Sequence, residues 1–369
     1  MSKLQVFPDL ITDIHPQEWK FQVKKILKNL IPSHVRYKLS HQRWRLMFMP
    51  NLLLNYAYDF RRFVKNSSVS VKHPSTNLKV RTKTQLQARI TIDYHSIEKG
   101  LAMKEPRIGF GREVIQRLLS NLPNYQEKYG FDETVQITLN TLSAYYYFNL
   151  EHGFQDEQLY ESILKLKEAI PTYRNSKNEG GIFKITKKSI LEDAHIDLRA
   201  FFQSRYSIRH FAPDEVNMCL IEQAVTMAQK TPSVCNRQSS KVYVFSSDED
   251  KRKVLSYQSG NRGFGDQASK VLIVVSDLEN FTLIGERNQC WIDGGMYAMS
   301  LVYALHSLGL ATCCLNWSVE HSVDKALKKS TNIKDSESII MMIAIGHLPE
   351  ELRVAQSPRK PLQEVLIVK

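Results

Sequence analysis

A chain of 369 residues that is 43% hydrophobic and 24% charged has room for two domains, each burying its own core, and is not built like a disordered protein. No run approaches the ~18 apolar residues of a spanning helix, and no compact apolar stretch opens the chain, so a cytoplasmic protein is expected. The net charge of +12 is concentrated: residues 1–80 hold 14 Lys+Arg against 4 Asp+Glu, a net of +10, and the remaining 289 residues carry only +2.

In chain order, residues 17–29 set Trp19, Phe21, Val23, Ile26 and Leu27 at helical spacing, and Pro32 closes the pattern. Next, Trp44, Phe48, Tyr56, Phe60 and Phe63 lie beside Arg43, Arg45, Arg61 and Arg62. A basic, aromatic-rich helix of this kind can pack on a neighbouring domain, lie peripherally on an anionic membrane or meet another acidic partner. Basic charge without a recognisable nucleic-acid-binding pattern does not argue for nucleic acid. Residues 66–77 are polar, Ser-rich and broken by Pro74, which predicts a linker. Helices are expected over 78–99, 133–152 and 157–169, stopped by Gly100, Gly153 and Pro171, with a second linker at 177–181. His95, Glu98 and Lys99 share a helix face at i, i+3 and i+4. They read either as substrate contacts above a site or as a closing helical turn whose cations suit the negative dipole end, with Gly109 and Gly111 shaping the loop beyond.

In the second half, Arg205, Ser207 and Arg209 alternate, so an extended backbone turns all three to one side. Two guanidiniums with a hydroxyl make a fork for a phosphate-sized dianion; the alternative is a pair of solvated surface arginines. An amphipathic helix over 213–230 separates them from Pro232, Ser233, Asn236 and Gln238. Carboxamides there suit the edge of a flat heterocycle, because they both donate and accept. Strands are expected over 241–246, 271–276 and 339–346, with an arm near 365–368. The helix over 286–307 is apolar nearly all round, as a buried or interface helix would be, and Gly309 suits a left-handed cap. Cys219, Cys235, Cys290, Cys313 and Cys314 show no metal-ligand spacing and read as reduced thiols.

The pattern R-x-S-x-R-x-F, an amphipathic helix, then P-S-x-x-N-x-Q resembles the FMN-dependent nitroreductase family, and the resemblance covers roughly residues 196–369. The I-G-x-L-P turn after the 339–346 strand and R-K-P-L-Q-E-V near the C-terminus are similar to later family elements. The resemblance implies that Arg205, Ser207 and Arg209 hold the FMN phosphate and ribityl chain, with Arg359 a further phosphate cation on the C-terminal arm. It implies that Pro232, Ser233, Asn236 and Gln238 approach the isoalloxazine from the other subunit of a homodimer. Leu315 and Asn316 match the segment beside flavin N5, and Asn261 and Arg262 match its pyrimidine contacts. Tyr206 departs from the family's frequent second arginine, and the loop after Arg237 lacks its Q-P-W. The segment around His95 and Gly100 resembles an N-terminal extension of nitroreductase-like proteins associated with polysaccharide biosynthesis.

The expected fold is α+β: a mainly helical extension over 1–185, then a nitroreductase-like FMN-binding domain over 186–369 with a mainly antiparallel sheet flanked by helices. The expected activity is hydride transfer from NAD(P)H to a small-molecule acceptor, with no catalytic side chain and no metal. The alternative is a flavin-binding or flavin-free accessory protein, with the helical half as a docking module.

Overall fold

The computed structural model describes residues 43–68, 80–168 and 180–369. The helix expected over 17–29 and most of both expected linkers lie outside these residues. The architecture is the expected mixture of helices and antiparallel sheet.

The first described helix, α1 (Arg43–Asn66), keeps Pro50 within it. Then come α2 (Lys83–Leu101), α3 (Arg112–Tyr129), α4 (Glu133–Glu151) and α5 (Glu157–Glu168). Leu86, Ile90, Ile97, Leu118, Leu122, Leu139 and Leu142 meet in the core of this bundle. Asp132 ties three of its helices together. Its carboxylate caps α4 at Thr134 N (3.0 Å), pairs with Lys83 of α2 (2.8 Å) and accepts from Tyr125 of α3 (2.5 Å). Gly100 lets the Phe110 ring lie close, since a Cβ there would stand 2.1 Å from it and the ring would have to shift. Glu98 accepts from Gly181 N at 3.1 Å and lies 3.0 Å from His95 Nδ1, while Lys99 is exposed. Glu98 thereby holds Gly181, where the chain beyond the bundle passes α2.

After the short helices α6 (Lys187–Asp193) and α7 (Leu198–Ser204), α8 (Met218–Ala228) leads to β1 (Ser240–Phe245), α9 (Asp248–Leu255) and β2 (Lys270–Asp277). The remaining elements are α10 (Gln289–Ser307), β3 (Leu310–Asn316), α11 (His321–Thr331), β4 (Glu337–His347) and α12 (Leu362–Val365). The strands run antiparallel in the order β1-β2-β4-β3. Alternation along β2 sends Val271, Ile273 and Val275 to one core and Leu272 and Val274 to the other. Helices α8 and α10 cover the second core, and Leu327 of α11 with Val254 of α9 packs into the first.

Three expectations change. Helix α8 begins at Met218, not at 213, because Asn217 caps Cys219 N at 2.9 Å. Glu215 is drawn away to Lys270 at 2.7 Å, and Val216 N to Ser269 Oγ at 2.8 Å. Residues 310–316 form an unexpected edge strand, because β4 offers its free side. The 365–368 arm is not a strand: one helical turn and an exposed tail stand there.

The extension sits on the second half. Arg62, buried, donates to Asp335 O (2.8 and 2.7 Å) and Glu337 O (3.0 Å), and Tyr58 donates to Asp324 at 3.0 Å. Phe63 joins Leu278, Phe281 and Cys290 in a small core that Val234 also packs against. Helix α2 packs on the Val234–Asn236 and Leu278–Asn280 turns. Thr82 caps Gln85 N at 3.2 Å and donates to Glu279 at 3.0 Å. Thr82→Ala is therefore expected to cost about 1 kcal/mol, read as a lower urea midpoint with unchanged slope.

Asp324 gives this junction a pH dependence. Burial raises its carboxyl, but Lys328 (2.8 Å by distance, without an aligned hydrogen bond), Trp317 and Arg62 more than reverse that and hold it low. A lowered folded pKa contributes stability above the unfolded value of ~4 and loses it as the pH falls through the folded value. Stability should therefore decline on acidification below about pH 4, and Asp324→Asn should flatten that decline in urea titrations at pH 7, 4 and 3. Lys328, pushed down to about 8 chiefly by burial, works at the other end. The cost of charging it in the fold is present below pH 8 and fades as the pH rises towards its unfolded value.

Candidate functional site

Between α7 and Ala212 the chain is extended along the outer edge of β3, where Ile208 N donates to Thr312 O at 2.8 Å. Ile208 and Phe211 turn into the first core, so Ser207 and Arg209 face away from Ile208. The Arg209 guanidinium lies 5.9 Å from the centre of the Phe264 ring and 3.4 Å from Ser207 O. Among the described residues the ion-paired arginines are Arg62, Arg117 and Arg237; Arg205 and Arg209 have no carboxylate partner. Their charges are felt on β3 and at the end of α10. Burial pushes the Cys313 thiol up against the pull of Arg209. Burial, reinforced by Arg205, holds the His306 imidazole below its ordinary value, and Ser204 Oγ lies 2.9 Å from its Nε2.

The second cluster follows α8. Cys235, Asn236 and Gln238 all have positive φ (49°, 54° and 47°), a run of left-handed backbone that is costly for residues other than glycine. Local contacts hold it: Ser233 Oγ accepts from Gln238 N (3.0 Å), and Asp293 of α10 accepts from Val234 N (3.1 Å). Arg237 is buried beneath. It donates to Val234 O (3.1 Å) and Asn280 O (2.6 Å), and pairs with Glu286 at 2.5 Å. Pro232, Ser233 and Gln238 line a cleft of about 290 Å³ with Ile221, Val242 and Tyr297.

These clusters occupy opposite edges of the sheet. The arginine segment lies outside β3 and the carboxamide loop runs into β1, with β2 and β4 between. Three strand spacings separate the two edges, roughly 14 Å. One copy of the chain does not bring Arg205, Ser207 and Arg209 to Asn236 and Gln238.

The other expected residues are dispersed. Leu315 is buried in the first core, so only its backbone is open to a ligand role, whereas Asn316 is exposed. Gln258 Nε2 donates to Asn316 O at 3.2 Å. Asn261 spends its amide on Leu255 O (2.8 Å) and Gln258 O, which argues against a ligand contact from that group. Arg359 is exposed on the C-terminal arm, bonded to Ser357 O. Cys313 points into the core and Cys314 outward, so these neighbours face opposite sides of β3. Among the described residues, no group of three or more His, Cys, Asp or Glu is placed to hold a metal ion.

Sequence reasoning missed Arg237, Glu286, Asp293 and Gln258, which position the loops. Arg237 carried a signal, a long cation within the motif, but its burial depends on Glu286, 49 residues away.

Residues 202–259 and 253–347 match the model of the Nitroreductase family. No curated protein matches the chain. Solved structures similar to it include an FMN-dependent nitroreductase from Clostridium difficile R20291, at 21% identity over 42% of this chain and 91% of that one, TM-score 0.37. A nitroreductase family protein from Streptococcus pneumoniae TIGR4 is 18% identical over 47% of this chain and 100% of that one, TM-score 0.40. A nitroreductase-like protein from Streptococcus mutans is 18% identical over 47% and 98%, TM-score 0.41.

Proposed function

We propose that this chain is an FMN-dependent oxidoreductase of the nitroreductase type, passing hydride from NAD(P)H to a small-molecule acceptor, and that it works as a homodimer. The observation that carries the reading is the pair of arginines, without carboxylate partners among the described residues, flanking a hydroxyl along an edge strand within the residues that match the family model. This donor set fits a phosphate monoester: two forks for its oxygens and Ser207 between them.

Bound FMN would supply the two-electron chemistry at its ring. The chain's residues supply binding and orientation. Arg205, Ser207 and Arg209 would neutralise and orient the phosphate and ribityl chain. Asn236 and Gln238, with Pro232 and Ser233 shaping their loop, would present carboxamides to the ring edge. Because the two clusters stand on opposite sheet edges, that loop would come from a second copy. Arg359 would reach the phosphate on the exposed arm, whose apolar tail (Leu366, Ile367, Val368) is exposed as well. Trp291, Ile292 and Met296, exposed on α10, suit the same interface. The Leu315–Asn316 backbone would border the ring, and no side chain is assigned as acid or base.

The test is direct. Purified protein should be yellow, release FMN on denaturation and bleach when mixed anaerobically with NADH or NADPH. Protein that neither carries nor takes up FMN would sink the proposal. A bound flavin that stays oxidised with both donors would leave a flavin-binding accessory protein.

A further inference from the structure

Helices α1 and α11 border a pocket of about 400 Å³ that contains none of the residues assigned to the flavin. Tyr58 of α1 lines it, with Lys325, Lys328 and Lys329 of α11 and, beyond that helix, Asn332 and Asp335. Three ammonium groups against one carboxylate make the lining basic. Asp335 is moreover paired with Lys65 at 3.1 Å, outside the lining. Lys325 and Lys329 are exposed, and among the described residues neither is paired with a carboxylate. Lys325 Nζ stands 5.0 Å from the centre of the Tyr58 ring, so a charge and an aromatic face share one wall.

Lys328 differs from its neighbours. Its side chain is 5% exposed, and its Nζ, although 2.8 Å from Asp324, makes no aligned hydrogen bond. The Asp324 carboxylate is occupied by other donors, Tyr58 at 3.0 Å and Trp317 at 2.9 Å. An ammonium has three protons to place, and leaving them open away from water is costly. Burial and the nearby Arg62 both weigh against its charge. Lysines in the last turn of a helix suit the negative end of its dipole, and Lys328 and Lys329 stand there in α11. The dipole accounts for charge left in water. It does not account for an ammonium withdrawn from water at the wall of a pocket.

We propose that this pocket binds a small phosphate-bearing molecule, with Lys325, Lys328 and Lys329 around the phosphate and Tyr58, Ile333 and Asn332 against its organic part. Ammonium groups act as point charges and suit a phosphate met from several sides. The anion supplies the acceptor that Lys328 lacks. Asn332, held in the left-handed conformation that ends α11 (φ 57°), brings a carboxamide that both donates and accepts. The volume falls in the range of small-molecule sites. Tyr58 belongs to the extension and the lysines to the second half, so the ligand bridges the two. The proposal does not depend on flavin binding, and its test reads no activity.

The experiment is calorimetric titration of the full chain with inorganic pyrophosphate and with ribose 5-phosphate at about 0.15 M salt, where weak surface attraction is screened. Both are expected to bind and free ribose is not. Lys325→Ala/Lys329→Ala should weaken binding about tenfold or more. Its urea midpoint without ligand should stay at the parent value, because both side chains are exposed. Arg205→Ala/Arg209→Ala, which strips the proposed flavin-phosphate donors, should keep this binding. In the unaltered chain, pyrophosphate should shield Lys325 and Lys329 from amine acetylation, read by peptide mass spectrometry. No heat with either probe, or an affinity that the lysine pair does not change, would overturn the proposal. So would binding lost in the arginine variant and kept in the lysine variant, since the anion would then sit at the β3 edge. Acetylation of both lysines at the same rate with and without pyrophosphate would overturn it too.

Discussion

Replacing both Arg205 and Arg209 by alanine is expected to weaken FMN binding by at least ~100-fold and to leave the melting temperature within a few degrees of the parent protein. A charge-assisted hydrogen bond contributes roughly 1.5–3 kcal/mol, and two guanidiniums directed at one phosphate make several. The lower end of that range suits groups this open to solvent. The fold should barely notice the change, because neither arginine is paired with a carboxylate among the described residues and Arg209 is exposed. Lysine at both positions would keep the charge but lose the fork, and should recover only part of the affinity. Flavin fluorescence titration measures the effect; an affinity unchanged in the double alanine variant would remove these residues from the cofactor site.

A mixing experiment extends the test to the sheet geometry. If the carboxamide loop serves the other subunit, a variant lacking Arg205 and Arg209 and one lacking Asn236 and Gln238 should complement each other. Refolded together, they form mixed dimers with one intact site, so flavin binding and turnover return. Failure of mixed dimers to bind FMN would mean that the two clusters do not share a site.

Arg237→Ala should produce the largest loss of stability, about 3–5 kcal/mol by chemical denaturation. The Arg237 side chain is 1% exposed and joins three otherwise separate pieces of chain: Val234 O, Asn280 O and the Glu286 carboxylate. Its guanidinium also lies 5.4 Å from the centre of the Phe281 ring, in the small core that includes Phe63 of the extension. Truncation leaves Glu286 with only the Thr282 and Leu283 amides, and frees a loop held at three positive φ values. Flavin affinity should fall with stability, since Asn236 and Gln238 lose their fixed backbone. Lysine should not restore either property, because one ammonium does not span two carbonyls and a carboxylate in that geometry. A cost below about 1 kcal/mol would show that Arg237 is not the clamp of this loop.

The helices that were legible in the sequence are those with a strong period and a clear stop. Helix α4 and helix α5 run to within a residue of expectation, and Gly309 adopts its left-handed conformation (φ +74°) after α10. Helix α3 was not anticipated, because Pro123 interrupts its pattern; the bundle core holds Leu118, Leu122 and Tyr125 in line regardless. The start of α8 was misplaced because Pro213 and its acids look like a helix opening, while Lys270, 55 residues on, recruits Glu215 instead. At the proposed site, the candidate donors could be named from the sequence and the residues that support them could not. Arg205, Ser207, Asn236 and Gln238 declare their chemistry as side chains, but Arg237, Asp293 and Glu286 act through partners brought near only by folding.

The amino-acid order alone determined what each segment could be: amphipathic helices, apolar strands, a basic aromatic segment near the N-terminus and two polar motifs separated by a helix. Those properties depend on residue type and on neighbours within a turn or two, so they are present before any long-range contact forms. The tertiary structure decided where they stand relative to one another. Strand order β1-β2-β4-β3 sets the arginine segment and the carboxamide loop on opposite edges, and Asp335, Glu337 and Phe281 choose which face of α1 is spent on the core. Strand pairing and helix docking join residues tens to hundreds of positions apart, and no local pattern records which partner an edge or a face will meet.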